Sequence, residues 1–183
     1  MNAKTHDNPE SHNVVSPAES GSTGNWKDPK RYMWLLGPVL PGIGLAALTG
    51  YALAPKKLKA LAWTGPALVH GIIPALDRAI GEDQSNPPES AVETLERDKY
   101  YDRIVKAFIP TQYAMTLMGA WLASRKDTPL DDKIGLTLTV GAINGVGINT
   151  AHELGHKSNR LNKLLAMAAL APTGYTHFVV EHN

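Results

Sequence analysis

Four stretches of the chain contain no charged side chain, and they constrain its fold more than any other feature. They cover residues 33–55, 60–76, 107–124 and 134–152, which is 23, 17, 18 and 19 positions with histidine counted as neutral. A helix that crosses a bilayer needs about 20 mostly apolar residues. Four such stretches in 183 residues predict an all-α integral membrane helical bundle. The expected spans are 33–54, 60–80, 105–124 and 134–152. Pro38, Pro41, Pro66, Pro74 and Pro110 fall inside them, as membrane helices tolerate. Trp34, Tyr51, Trp63 and Trp121 lie near span ends, where interfacial aromatic rings belong. In the fourth span Gly141 and Gly145 form a small-xxx-small pair, with Gly147 beside them, which predicts close helix packing.

The mean hydropathy of −0.19 conceals this pattern because the polarity is concentrated. Residues 1–32 are rich in Asn, Ser, Pro, Glu and Gly and are expected to be a disordered tail. Residues 33–183 then form the membrane domain. A charged loop at 82–103 joins the second and third spans, with some helix expected around 93–101. With four spans, the tail, this loop and the C-terminal end share one side, which holds 12 Lys and Arg against 6 on the other. The positive-inside bias puts that side in the cytoplasm. The net charge of +1 argues against a nucleic-acid partner. The absence of cysteine excludes disulfides and thiolate-bound metal within this chain. No Gly-rich dinucleotide motif is present.

The cytoplasmic end of the fourth span carries His152-Glu-Leu-Gly-His156. Residues four apart share a helix face, so both imidazoles can reach one metal ion. Imidazole suits zinc, iron, copper or nickel. An HExxH motif also serves zinc metalloproteases, where the Glu is the general base. A zinc-dependent intramembrane metalloprotease is therefore an alternative, with Glu181 or His182 as a later ligand.

The surrounding residues distinguish these readings. The stretch 149–157 (NTAHELGHK) resembles the first histidine box of the membrane-bound alkane 1-monooxygenases. The stretch 174–183 (GYTHFVVEHN) is similar to the opening of their second box, and 74–87 (PALDRAIGEDQSNP) to the segment after their second helix. Tyr100-Tyr-Asp-Arg103 also fits. The resemblance runs from about residue 31 to residue 183, and the chain stops inside the second box, so it is expected to be the N-terminal part of a longer enzyme.

The resemblance implies a fatty-acid desaturase-like membrane enzyme of the bacterial cytoplasmic membrane. It would hydroxylate medium- or long-chain n-alkanes at a terminal carbon. Two non-haem irons, O2 as co-substrate, and electrons from rubredoxin with its NAD(P)H-dependent reductase are implied with it. Carried over by position, His152, His156 and His182 match metal ligands. Glu153, His177 and Glu181 match residues expected to orient the imidazoles. Asp77 and Asp83 match motif positions, with loop capping or ion pairing as their expected role.

Two further expectations concern geometry. Residues 163–180 are apolar enough for a fifth helix, but a straight crossing would carry His182 away from His152 and His156. Pro172 and Gly174 offer a break, so this segment is expected to be re-entrant or interfacial. In the second span Gly65, Val69, Ile72 and Leu76 form a stripe at helical spacing. That stripe either faces lipid or walls a substrate channel, with Val69 as the residue to test. His70, on the opposite side, is expected to pack against a neighbouring helix.

Overall fold

The computed structural model describes residues 26–54, 56–81, 86–178 and 181. It is all-helical, with no strand among the described residues. A 3-10 turn, Met33–Leu35, leads into α1, Leu36–Leu53. The second apolar stretch is a succession of short pieces: a 3-10 turn at Lys59–Trp63, α2 at Thr64–Pro66, a π turn at Ala67–Ile72 and α3 at Ile73–Ile80. The amphipathic α4, Glu89–Arg97, precedes the long α5, Lys99–Ser124, and α6, Leu130–Gly155. The short α7, Arg160–Leu170, closes with a 3-10 turn at Ala171–Thr173.

The irregular second segment has a physical cause. Pro74 lacks an N–H, and in a regular α-helix its ring would strike the carbonyl of His70. The wider π turn lies directly before it. Further up, the change from 3-10 to α geometry leaves backbone groups in need of partners, and Thr139 of α6 supplies them. Its hydroxyl accepts from the Gly65 N–H at 2.9 Å and donates to the Ala62 carbonyl at 2.7 Å. Such an approach requires glycine: a Cβ at position 65 would lie 2.4 Å from the Thr139 Cα.

The core is built around α6. Leu48 and Tyr51 of α1, Ala62, Met115 and Leu122 of α5, and Leu136 and Ile143 of α6 form one cluster. A second cluster joins Ile109, Ala151 and Leu154 to Ala166, Ala169 and Leu170 of α7. Buried polar groups pair across the helices. The Tyr51 hydroxyl donates to the Asp132 carboxylate at 2.7 Å, and the Gln112 amide to the Ala169 carbonyl at 3.0 Å. Within α6 the close glycine contacts fall at Gly135 against Trp63 and at Gly147 against Gln112 and Ala169. This corrects the expected pair: Gly141 and Gly145 face open space among the described residues.

Two helices, Met33–Leu53 and Leu130–Gly155, are long and apolar enough to cross a membrane by length and composition. The second segment is subdivided, and the uncharged part of α5 carries Thr111, Gln112, Tyr113 and Thr116. Both α5 and α6 extend beyond the expected ends. Asp98 caps α5 by accepting from the Tyr100 N–H at 2.8 Å, so the helix begins well before residue 105. The expected break after α7 is present. The helix ends at Leu170 and Gly174 adopts φ 70°, so no continuous helix runs through 163–180. The 11 residues of α7 rise only about 16 Å, short of a ~30 Å hydrocarbon core.

The expected disordered tail is corrected at its far end. Residues 1–25 lie outside the described residues, but 26–32 form a strap held on the start of α5. Arg31 pairs with Asp98 at 2.8 Å and lies 3.9 Å from the centre of the Tyr100 ring. The Tyr101 hydroxyl donates to Asp28 at 2.7 Å, and Trp34 meets the Tyr101 ring edge-on at 5.3 Å. Burial, followed by the bond to Asp28, pushes the Tyr101 hydroxyl up to about 12. Asp98 is held below the usual carboxylate range by the Tyr100 N–H and then by Arg31.

The Gly65 contact gives a direct stability test. Gly65→Ala must push α6 away and is expected to lower stability by about 1–3 kcal/mol. Gly71→Ala, which meets open space, is expected to stay within about 0.5 kcal/mol. Unfolding of both variants in lipid–detergent micelles checks the difference, and equal stability would remove Gly65 from the packing account.

Candidate metal centre

His152 and His156 occupy the last turn and the C-cap of α6. Ala151, Leu154 and Gly155 between and beside them are buried, with Ala151 and Leu154 packed against α7. The helical period therefore turns both imidazoles to the exposed face. Their Nε2 atoms are 3.1 Å apart, with ring centroids at 4.5 Å. Two nitrogens each about 2.1 Å from one ion and at about a right angle would stand about 3.0 Å apart. The pair thus fits two adjacent positions on a metal ion. The negative end of the α6 dipole also favours a cation at this point.

The other expected site residues are placed less closely. Among the described residues no group of three His, Cys, Asp or Glu side chains is gathered for a metal. His182 lies outside the described residues. His177 is exposed and meets the Tyr175 ring edge-on at 4.4 Å. Glu181 is exposed, and its N–H donates to the His177 carbonyl at 3.1 Å. Glu153 lies 3.6 Å from the ammonium of Lys157. Val69 is half-buried against the Leu48 and Tyr51 cluster.

The expected stripe does not stay on one face. Gly65 is buried and Val69 half-buried, whereas Ile72 and Leu76 are exposed along with every other residue from His70 to Ile80, because the segment leaves the packed bundle after Val69. His70 is exposed on that turn, which corrects its expected packing. Asp77 is exposed on α3, and Asp83 lies outside the described residues.

Two cavities border the histidine end. One of about 360 Å³ lies between α1, α5 and α6, with Met33, Trp34, Gly37, Ile104 and Phe108 in its wall and Glu153 at its edge. The other, of about 800 Å³, lies beneath the strap and reaches Glu153 and His156. Sequence reasoning missed the strap and the carboxylate of Asp102. Asp102 accepts from Lys106 at 2.7 Å and Lys157 at 3.4 Å. The only signal for it was its place within the Tyr100–Arg103 motif.

A helical protein with two helices long and apolar enough to cross a membrane, and a histidine pair 3.1 Å apart at the end of one of them, is the class that the fold and the site define. Sequence comparison narrows that class. The chain is 46% identical over all 183 residues to an alkane 1-monooxygenase of Acinetobacter baylyi, of which it covers 44%. It is 35% identical over 182 residues to alkane 1-monooxygenase 1 of Alcanivorax borkumensis, covering 94% of this chain and 43% of that protein. An alkane 1-monooxygenase of Pseudomonas putida matches 88% of the chain at 36% identity, over 40% of its own length. No protein-family model matches. The chain is similar along nearly its whole length to these alkane 1-monooxygenases, which by name are oxidoreductases, and it spans less than half the length of these curated relatives. Their names give the protease alternative no support.

The histidine pair can be tested by direct binding. In the full-length protein, His152→Ala and His156→Ala are each expected to weaken cobalt(II) binding at the site. The loss should exceed the roughly 10–100-fold typical of removing an outer partner. His70→Ala is expected to leave binding unchanged. Titration of the cobalt absorption bands reads both, and an unaltered affinity in either first variant would remove that residue from the site.

Proposed function

We propose that the protein carrying this chain hydroxylates medium- or long-chain n-alkanes at a terminal carbon. One atom of O2 enters the alcohol and the other leaves as water, with two electrons and two protons consumed. The observation that carries this reading is the 46% identity along the whole chain, combined with a histidine pair 3.1 Å apart in the matched motif. His152 and His156 would hold iron at the end of α6, with His182 as a further ligand. Glu153, His177 and Glu181 would orient imidazoles. The chemistry that a bound pair of irons supplies is reductive activation of O2 and removal of a terminal hydrogen. Reduced rubredoxin, recharged by an NAD(P)H-dependent reductase, would deliver the electrons.

The membrane reading completes this picture. We take the segments at 60–80 and 105–124 as two further spans beside α1 and α6, in the bacterial cytoplasmic membrane. The excess of Lys and Arg then puts the N-terminus and the histidine end in the cytoplasm, where a soluble electron donor can reach them. An alkane has no polar group to hold, so the chain's own task is to shape an apolar, water-free space beside the metal. The cavity at Gly37 meets this need best, because its wall is mostly apolar and its polar lining, Lys30, Asn149, Thr150 and Glu153, lies toward His152 in sequence or at the strap. Val69 is the alternative wall.

Alkanol yields from alkanes of increasing length, with rubredoxin and reductase supplied, test the reaction and the channel together. Gly37 faces open space, so a larger side chain there fills the cavity without straining the helix. Gly37→Phe is expected to cut yields from long alkanes at least tenfold and to spare short ones. An unchanged profile for Gly37→Phe with that loss in Val69→Trp would move the channel to the second segment. No 1-alkanol from the wild-type protein would overturn the reaction.

A further inference from the structure

Asp102 lies on α5, fifty-five residues before Lys157 in sequence, and neither has a role in the function proposed above. The structure brings them together at the histidine end of α6. The Lys157 ammonium lies 3.4 Å from one Asp102 oxygen and 3.6 Å from Glu153, while Lys106 donates to the other Asp102 oxygen at 2.7 Å. The Asp102 side chain is about one-third exposed, at 33%, and that of Lys157 is 27% exposed, so the contact is partly withdrawn from solvent.

The backbone at this point needs such support. The final bonds of α6 are long: His156 N–H to the His152 carbonyl and Lys157 N–H to the Leu154 carbonyl are both 3.3 Å. The second of these is a tighter, three-residue closure, of the kind found where helix ends fray. His156 sits in that turn as the C-cap, so its ring is only as fixed as the turn is. By contrast, the start of α5 is well anchored by its Asp98 cap and by the strap on Tyr100 and Tyr101. A tie from this anchored start to Lys157 transfers its rigidity to the weak turn.

We propose that Asp102 is a positioning residue: through Lys157 it clamps the last turn of α6 and holds His156 at metal-binding distance from His152. The inference rests on the reading of the histidine pair as a metal site. It adds the residue that preorganises that pair before metal arrives. Asp102 acts through Lys157 and Glu153 and touches no substrate.

Two readouts on the full-length protein in lipid nanodiscs test the clamp. The first is backbone hydrogen exchange over residues 154–158 without metal, and the second is cobalt(II) affinity. Asp102→Asn and Lys157→Met are each expected to speed exchange at least fivefold in that segment alone. Each is also expected to weaken cobalt(II) binding by about 10–100-fold. The double variant should be no worse than Lys157→Met alone, because that change already removes the contact with Asp102. Asp102→Glu should restore both readouts to near wild type, and Lys106→Met, which leaves the α5–α6 tie in place, should change each less than threefold. Unchanged exchange in Asp102→Asn, or losses that multiply in the double variant, would overturn the clamp. If the wild-type protein binds no cobalt(II), the metal reading fails, and the exchange measurement still decides whether Asp102 orders the turn.

Discussion

Helix α6 carries polar side chains into an apolar interior at three levels, and each meets a partner on another element. Near its start Asp132 accepts from Tyr51 of α1, with Lys59 at 4.0 Å. At mid-length Thr139 serves the backbone of the second segment. Further along, Asn144 and Thr116 of α5 bond to each other at 3.0 Å. In low dielectric an unpaired polar group is costly, so each contact penalises any slip in register. Burial of apolar area is itself non-directional, so these polar pairs act together with the close contacts at Gly135 and Gly147 to fix the rotation of α6. With the rotation fixed, the face that emerges at its far end is the one bearing His152 and His156.

The consequences for chemistry follow from that end. A helix terminus gives two side chains a shared face, a favourable dipole for a cation and access to solvent on one side. Packing of α7 beneath Ala151 and Leu154 supports the turn from the apolar side. The cavity at Gly37 adjoins it from the direction of α1 and α5, and the larger cavity beside it lies beneath the strap, walled by Trp26 of the strap, by Trp34 and by Tyr101 of α5. An apolar space, a polar edge and a pair of metal-spaced nitrogens thus adjoin one another within a single helical frame.

Much of this was legible in the sequence, and the remainder fails for identifiable reasons. The uncharged stretches located the helical segments, and periodicity alone put His152 and His156 on one face. Pro172 and Gly174 announced the break after α7. The irregular second segment was not legible, although Pro66 and Pro74 are plain in the sequence. Whether a proline kinks, breaks or widens a helix depends on what replaces the lost bonds, and Thr139 lies 74 residues away from Gly65. Gly141 and Gly145 misled for a related reason: spacing shows that two glycines share a face, but not whether another helix lies against it. The strap and the Asp102–Lys157 contact depend on aromatic and ionic pairs that only the tertiary fold assembles.

In the function proposed above, the end of α6 contributes to an iron centre that oxidises an inert hydrocarbon. Hydrocarbon oxidation calls for a redox-active metal, the role proposed for iron, whereas zinc has no redox change to offer and would suit hydrolysis instead. Elemental analysis of the purified full-length protein, with Mössbauer spectroscopy on iron-57-enriched material, tests this most directly. Two irons per chain, with the high-spin signature of nitrogen-rich ligation, is the result expected here. One zinc per chain and no iron would contradict it.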